Sequence, residues 1–431
     1  MYCTYVELLY KAVNPWWQGK GFATGIKREQ YLGDIKDRLG RDEIEVFNGG
    51  RGVGKTTILK QIIKHLLNTG RPAASILYLP MHYPALMGRS LPGHLYEVRR
   101  LIFPNRDRLH YLFIDEIESP SVFDSDIRAI QRTGLFKIIA AATTLPPHPR
   151  RGRRTTSRRE TIVYPLNLKE FITFRGHDVT AWAPEQLLEL TEDYLLSGGY
   201  PAHVLNPAGE ELEEIAATAA ARDTGHGNIC GLRKAYLLPD LLQRLAHSVG
   251  SPTTYRLLAG KLHLSADSVK DYLGYLEEAW LVKSLERWSA DGQERKLAPK
   301  KFYLGDNGLR TILSGDMAMP ARAENAVFLE LRRHGIACGY DGQMEGGVDF
   351  VLGPRSRPVP IDVRYDTVPL GEERHDDGVR SFIRRHPRTR KAVVITKNIE
   401  GFYKIEEAAV QVIPLWKALL DGKLAKIVLN G

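Results

Sequence analysis

The densest chemistry in the chain lies in Gly49-Gly50-Arg51-Gly52-Val53-Gly54-Lys55-Thr56-Thr57. The spacing G-x-x-x-x-G-K-T is that of a phosphate-binding loop. Its glycines let backbone N–H groups close around phosphate oxygens, Lys55 reaches the β- and γ-phosphates, and the Thr56 hydroxyl ligates Mg²⁺. Some 60 residues later an apolar run ends in Asp115-Glu116. Asp115 suits a hold on Mg²⁺ through water, and Glu116 suits a general base that orients an attacking water. A further apolar run, from Lys137, ends in Thr143-Thr144, and either hydroxyl is a candidate to sense a γ-phosphate. The ligands expected from these residues are ATP and Mg²⁺.

Such groups need elements to hold them. Before the loop, Glu43 to Phe47 reads as a buried strand; after it, Ile58, Leu59, Ile62, Ile63, Leu66 and Leu67 recur at helical spacing. The helix N-terminus then adds its positive end to the phosphate site. Acids that terminate a buried strand belong at the carboxyl edge of a parallel sheet. From His148 to Glu160, six of 13 residues are arginine. A run of that charge cannot pack as a core and reads as a solvated loop. Its sharper readings are phosphate contacts along nucleic acid or an arginine finger completing a neighbouring subunit's site. Arg158 and Arg159, directly before the expected strand Thr161 to Tyr164, are the finger candidates.

From about 165 to 248 the sequence reads as mainly helical, with a tight turn at Ser197-Gly-Gly-Tyr-Pro201. Residues 249–290 give a helix through Tyr255, Leu258 and Leu262, a capped turn at Leu264-Ser-Ala, and a second helix through Val269, Tyr272, Leu273 and Leu276. A strand starts at Leu281, a basic wing spans ADGQERKLAP, and Lys300 to Leu304 is the returning strand. The pattern is a winged helix-turn-helix. Ser268, Lys270 and Asp271 face out from its second helix for groove reading, and Arg295, Lys296, Lys300 and Lys301 are candidate phosphate contacts. The remaining segment alternates strands and helices. It places Glu324, Asp349 and Asp362-x-Arg364 in the order of a restriction-endonuclease-like core, in which acids bind Mg²⁺ and a lysine activates water. Arginine occupies the lysine position and stays protonated, so the nuclease motif is degenerate.

Composition fits this reading. A chain of 431 residues exceeds one ordinary core, and 43% hydrophobic with 26% charged residues describes a globular protein. A net charge of +9 makes nucleic acid a plausible partner. Cys3, Cys230 and Cys338 lack metal-ligand spacing, which argues against a zinc site or a disulfide framework. The chain has no apolar run of membrane-spanning length and no signal-peptide pattern at its start, so a cytoplasmic location without a membrane partner is expected.

In Asn14-Pro-Trp-Trp17, Ile26 to Leu32, the loop from Gly49 to Thr57, Phe113-Ile-Asp-Glu-Ile117 and Pro165 to Phe171, the chain resembles a prokaryotic, largely archaeal family of AAA+-type P-loop ATPases. The likeness continues through Gly198-Gly-Tyr-Pro201, the winged-helix segment, Tyr303 to Asp306, Glu324 to Val327, Val348-Asp-Phe350 and Ile361 to Arg364. It implies an α/β architecture with a nucleotide core over 1–170, a helical lid over 171–248, a winged helix over 249–315 and an endonuclease-like domain over 316–431. It also implies ATP at Lys55 and Thr56, metal and water activation at Asp115 and Glu116, and an adenine-side contact near Pro201. Three departures stand out: Gly52 where relatives carry a second arginine, Ala-Thr-Thr in place of Gly-Ser-Ser after the third strand, and Arg364. The expected activity is an ATP-hydrolysing homo-oligomer, such as a hexameric ring, that moves or remodels duplex or branched DNA, including branch migration of a Holliday junction. A nucleotide-dependent signalling or defence switch that recruits a protein is the alternative, and an ATP-dependent nuclease ranks last.

Overall fold

The computed structural model describes residues 2–33, 35–40, 43–86, 88–102, 109–117, 123–145, 158–178, 182–210, 212–217, 235–289, 291–315, 317–343, 346–365 and 377–429. The chain divides into two compact units, Met1–Val163 and Tyr164–Gly431. The lid, winged helix and endonuclease-like segments expected from sequence therefore fall within one unit.

The first unit opens with helix α1 (Tyr2–Val13) and is built on five parallel strands: β1 (Ile44–Asn48), β2 (Ile76–Pro80), β3 (Tyr111–Ile117), β4 (Lys137–Ala142) and β5 (Arg158–Ile162). Their order across the sheet is β2-β3-β4-β1-β5. Every residue of β1 and β2 is buried, as parallel strands covered on both faces require. Helix α2 (Lys55–Asn68) follows the loop and buries Ile58, Leu59, Ile62, Ile63 and Leu66, the stripe expected from sequence. The chain leaves β1 toward β2 on one side while β5 returns on the other, so β1 lies where the strand order reverses, the place where open α/β sheets bind ligands.

As an edge strand, β2 presents backbone groups that need a cover. The segment after α1 supplies one. The Asn14 carboxamide donates to the Tyr78 carbonyl at 3.1 Å and accepts from the Tyr78 N–H at 2.7 Å, as a neighbouring strand would. The indoles of Trp16 and Trp17 both donate to the Ile76 carbonyl, at 3.2 and 2.9 Å. The Asn-Pro-Trp-Trp motif is thus an anchor for the start of the chain.

In the second unit, α3 (Leu168–Phe174) begins with a capping box formed by Asn167 and Glu170, and α4 (Pro184–Ser197) follows it. Helices α5 (Leu238–His247), α6 (Tyr255–Leu262) and α7 (Ala266–Glu278) precede an antiparallel pair, β6 (Val282–Leu285) and β7 (Lys301–Leu304). Between those strands the expected wing contains a short helix, Gly292–Leu297, capped by the Asp291 carboxylate. Helices α8 (Asn307–Ser314) and α9 (Met319–Arg333) lead to a six-stranded mixed sheet. Its strands are β8 (Cys338–Gly339), β9 (Phe350–Leu352), β10 (Val359–Arg364), β11 (Lys391–Thr396), β12 (Gly401–Ile405) and β13 (Ala408–Pro414), in the order β12-β13-β11-β10-β9-β8. One more helix, Asp377–Arg385, packs Val379, Phe382 and Ile383 into its core.

Two motifs far apart in sequence explain each other here. Gly198 has φ +75°, and a Cβ on it would sit 1.9 Å from Asp306 Oδ1. The Gly199 N–H donates to Asp306 Oδ2 at 2.7 Å. Burial pushes the Asp306 carboxyl up to about 6, against the pull of the Gly199 and Gly308 N–H bonds. Gly-Gly-Tyr-Pro and Tyr-Leu-Gly-Asp are two halves of one staple.

Candidate functional site

The phosphate loop closes tightly between β1 and α2. Gly52 and Gly54 hold φ of +76° and +94°, left-handed values that a side chain would strain. A Cβ on Gly49 would lie 2.2 Å from the carbonyl oxygen of Val163, the residue after β5, so the backbone there leaves room for glycine alone. Below the loop the fully buried Arg28 donates to the Val53 carbonyl at 2.8 Å, and its guanidinium lies 4.7 Å from the Tyr31 ring centroid. Gln61 ties α2 to the same segment by donating to the Thr24 and Ile26 carbonyls, each at 2.8 Å. These contacts give the Ile26 to Leu32 motif a role as the foundation of the loop.

Lys55 is turned inward. Its Nζ donates to the carbonyls of Gly49 and Gly50 at 2.8 and 2.7 Å and to Thr143 Oγ1 at 3.2 Å. Burial lowers its pKa to about 8, opposed by the Asp115 and Glu116 carboxylates and aided by Arg51. Of the two hydroxyls at the end of β4, Thr143 is the one that reaches the lysine. The strand order explains the meeting, since β4 is inserted between the loop strand β1 and the acidic strand β3.

Strand β3 bulges at its acids. Ile114 pairs with Ala140 but Ile117 pairs with Ala142, so one extra residue is accommodated where Asp115 and Glu116 lie. Glu116 takes φ +56°, a conformation that costs a non-glycine residue about 1 kcal/mol or more. Its Oε2 lies 3.3 Å from His82 Nδ1. Asp115 is completely buried. Its Oδ2 accepts from the Tyr78 hydroxyl at 2.7 Å, while its Oδ1 has no hydrogen-bond partner among the described residues. Burial and Asp115 together push the Tyr78 phenol far above its usual range, so the hydroxyl keeps its proton and donates. A buried carboxylate oxygen left without a donor fits a cation ligand, and Thr56, the second residue of α2, is the other candidate. Sequence reasoning missed Tyr78, His82 and Arg28. Tyr78 left one trace, a polar tip inside the aliphatic run Ile76 to Leu79.

Arg158 and Arg159 stand at the start of β5, level with Ile44 and Glu45. That is the end of β1 opposite the phosphate loop, so neither lies at its own chain's loop. The rest of the arginine run, 146–157, falls outside the described residues. Pro201 begins a helix, Pro201–Leu205, in the second unit.

The second acidic cluster differs. Glu324 Oε1 accepts from Lys301 Nζ at 3.0 Å and from the Tyr303 hydroxyl at 2.6 Å. Lys301 Nζ is also 3.6 Å from Asp349 Oδ1. Burial opposes the charge of Lys301, but Glu324 and Asp349 outweigh it and raise its pKa. Asp349 Oδ2 accepts from the Val363 N–H at 2.9 Å, and Arg364 Nε donates to Asp362 Oδ2 at 2.9 Å. Lys301 was expected among the phosphate contacts; at 7% exposure with both neighbours anionic, it is an internal counter-ion instead. Lys300 is half-buried and pairs with Glu286 at 3.3 Å, whereas Lys270, Arg295 and Lys296 are exposed. Around Lys270 the exposed residues of α7 include Asp267, Asp271 and Glu278.

Residues 41–172 match the family model of the AAA domain. That stretch, which carries the phosphate loop and the five parallel strands, is similar to the AAA domains of P-loop ATPases. Residues 188–319 match a domain of unknown function, DUF8612. An uncharacterized protein of Haemophilus influenzae is 24% identical over 355 residues, which is 79% of this chain and 87% of that protein. Among solved structures, AMPPCP-bound DnaA from Aquifex aeolicus is 14% identical with a TM-score of 0.27, over 58% of this chain and 86% of that one. PCH-2 of C. elegans is 15% identical with a TM-score of 0.23, over 63% of this chain and 67% of its own. At TM-scores this low neither likeness bears on fold or activity. Among the described residues no helix is long and apolar enough to cross a membrane.

Proposed function

We propose that the chain hydrolyses ATP and uses the cycle to move or remodel DNA. The observation that carries the ATPase part is the meeting of Lys55, Thr143 and the bulged Asp115-Glu116 pair at the carboxyl edge of one sheet. The loop N–H groups cradle the β- and γ-phosphates, and Lys55 leaves the Gly49 and Gly50 carbonyls to meet them. Glu116 accepts a proton from the attacking water, whose oxygen bonds to the γ-phosphorus as the bond to the ADP oxygen breaks. Mg²⁺, held by Thr56 and Asp115, would neutralise charge on the phosphates. The arginine finger of this reading is Arg158 or Arg159, which lie away from their own loop and would act on a neighbouring copy in a homo-oligomeric ring.

DNA is supported by the net charge of +9 and by Lys270, Arg295 and Lys296, exposed on a helix-turn-helix and hairpin that we read as a winged helix. Branched DNA, with branch migration as the activity, ranks first only because the six-stranded domain is read as endonuclease-like, a fold shared with junction resolvases. Phosphate release measured with linear, four-way and no DNA tests the proposal. Stimulation by DNA that is lost in Glu116→Gln is expected; equal rates under all three conditions would overturn the motor.

The acid-rich exposed side of α7 favours a second reading, a nucleotide-dependent switch whose helix-turn-helix contacts a basic protein. It predicts slow turnover, nucleotide-dependent assembly and no DNA affinity.

A further inference from the structure

Within the second unit, a cavity of about 460 Å³ opens between the segment following β6 and the β8–β9 hairpin. Among the described residues its wall carries Arg287, Arg295 and Arg355 with the carboxylate of Glu286, Glu294 pairs with Arg287 beside it, and the Trp288 indole lies among them. None of these residues belongs to the phosphate-loop site or to the Glu324 cluster.

The cavity is built around the tryptophan. Trp288 N–H donates to the Tyr340 carbonyl at 2.9 Å, and its indole Nε1 donates to the Gly353 carbonyl at 3.0 Å. Rings of Phe382 and His386 back the indole at centroid distances of 6.0 and 5.3 Å. A Cβ on Gly339 would come within 2.8 Å of the Trp288 Cα, so glycine permits the approach of the hairpin. The Arg355 guanidinium stands 6.0 Å from the indole centroid, and Arg355 itself is exposed. Arg287 is steered by Glu294 at 3.1 Å, while Arg295 is exposed on the short wing helix.

An aromatic plane held by hydrogen bonds beneath an exposed guanidinium is a place for a flat ring, and the flanking arginines are a place for phosphate. We propose that this cavity binds an unpaired nucleotide of single-stranded nucleic acid, its base on Trp288 under Arg355 and its phosphodiesters at Arg287 and Arg295. An unpaired base is required because the bases of a duplex are already stacked on one another. The volume suits one or two nucleotides rather than a helix, and stacking of this kind accepts any base. The inference deepens the DNA reading and rests on it. It assigns the second unit a grip on the displaced strand that duplex remodelling produces.

The test is binding of a fluorescein-labelled ten-residue oligothymidylate to the full chain, beside a duplex of equal length. Arg355→Glu is expected to weaken single-strand binding about tenfold, the size of one lost stacking contact, and to leave duplex binding and DNA-free ATP turnover unchanged. Trp288→Leu is expected to show the same loss and Trp288→Phe to retain most of the affinity, which separates stacking from a packing defect. Unchanged single-strand affinity in Arg355→Glu would overturn the inference. So would displacement of the strand by free thymidine monophosphate at equal nucleotide concentration, because the site would then belong to a small ligand. A chain that binds duplex but no single strand fails this inference alone; one that binds no DNA of any form fails the motor reading as well.

Discussion

The two acidic clusters of this protein draw on the same inventory, carboxylates beside a lysine, and end in opposite electrostatic states. In the first unit Lys55 is bonded to its own loop, and one oxygen of the buried Asp115 has no donor among the described residues. In the second unit Lys301 lies between Glu324 and Asp349, and Tyr303 supplies a further donor. Among the described residues, one cluster leaves a buried carboxylate oxygen without a donor and the other encloses its own counter-ion. The difference lies in what delivers the lysine. A loop that must receive phosphate keeps its cation on weak neutral acceptors, whereas β7 inserts its cation straight among the acids. Lys301 and Arg364 each set a cation directly against acids of the second cluster.

The largest expected effect comes from breaking the open cluster. Glu116→Gln should lower the rate of ATP turnover about 10²–10⁴-fold, the usual weight of a general base, while nucleotide still binds. Steady-state phosphate release, with a fluorescent nucleotide to report binding, measures both. The closed cluster should respond in stability instead. Lys301→Met leaves buried carboxylates without their counter-ion and should cost about 3–5 kcal/mol in denaturant unfolding of the second unit. Adding Glu324→Gln should recover part of that loss; a single variant as stable as the parent would show that the pair does not hold the unit together.

Smaller changes sharpen the contrast. Tyr78→Phe removes the donor that fixes Asp115 without touching the loop. It should raise the Mg²⁺ concentration for half-maximal turnover about tenfold, with nucleotide affinity in the absence of metal unchanged. The smallest effect is a pH dependence. In the ligand-free protein Lys55 loses its proton near pH 8, so affinity for a polyphosphate should fall as pH rises through 8. Stability moves the other way. Because burial lowers this lysine from 10.5, the unfolded chain holds more protons between pH 8 and 10.5, and the group's contribution to folding improves across that window. Nucleotide titrations at pH 7 and 9 should differ by up to about tenfold, with tighter binding at pH 7.

The first cluster was legible in sequence because its parts carry their own context. A glycine loop between a strand and a helical stripe, and acids at the end of an apolar run, locate themselves. What escaped depends on neighbours that sequence does not rank. Tyr78 reaches Asp115 only because β2 lies beside β3, and Thr143 reaches Lys55 only because β4 is inserted next to β1. Lys301 illustrates the opposite failure. Beside Lys300 in a basic stretch it reads as a surface charge, and nothing local reveals that Glu324 and Asp349 converge on it. The wing is a further case, since Asp291 caps a helical turn within what reads as a loop.

The cover that Asn14, Trp16 and Trp17 place over β2 gives the molecule an internal optical gauge. Both indoles report on the carbonyl of Ile76, two positions from the tyrosine that holds Asp115. A displacement of that carboxylate during turnover would pull on the edge strand and alter the hydrogen bonding of two of the six tryptophans. The emission spectrum of the unlabelled protein would then follow events at the carboxylate from the far end of a strand.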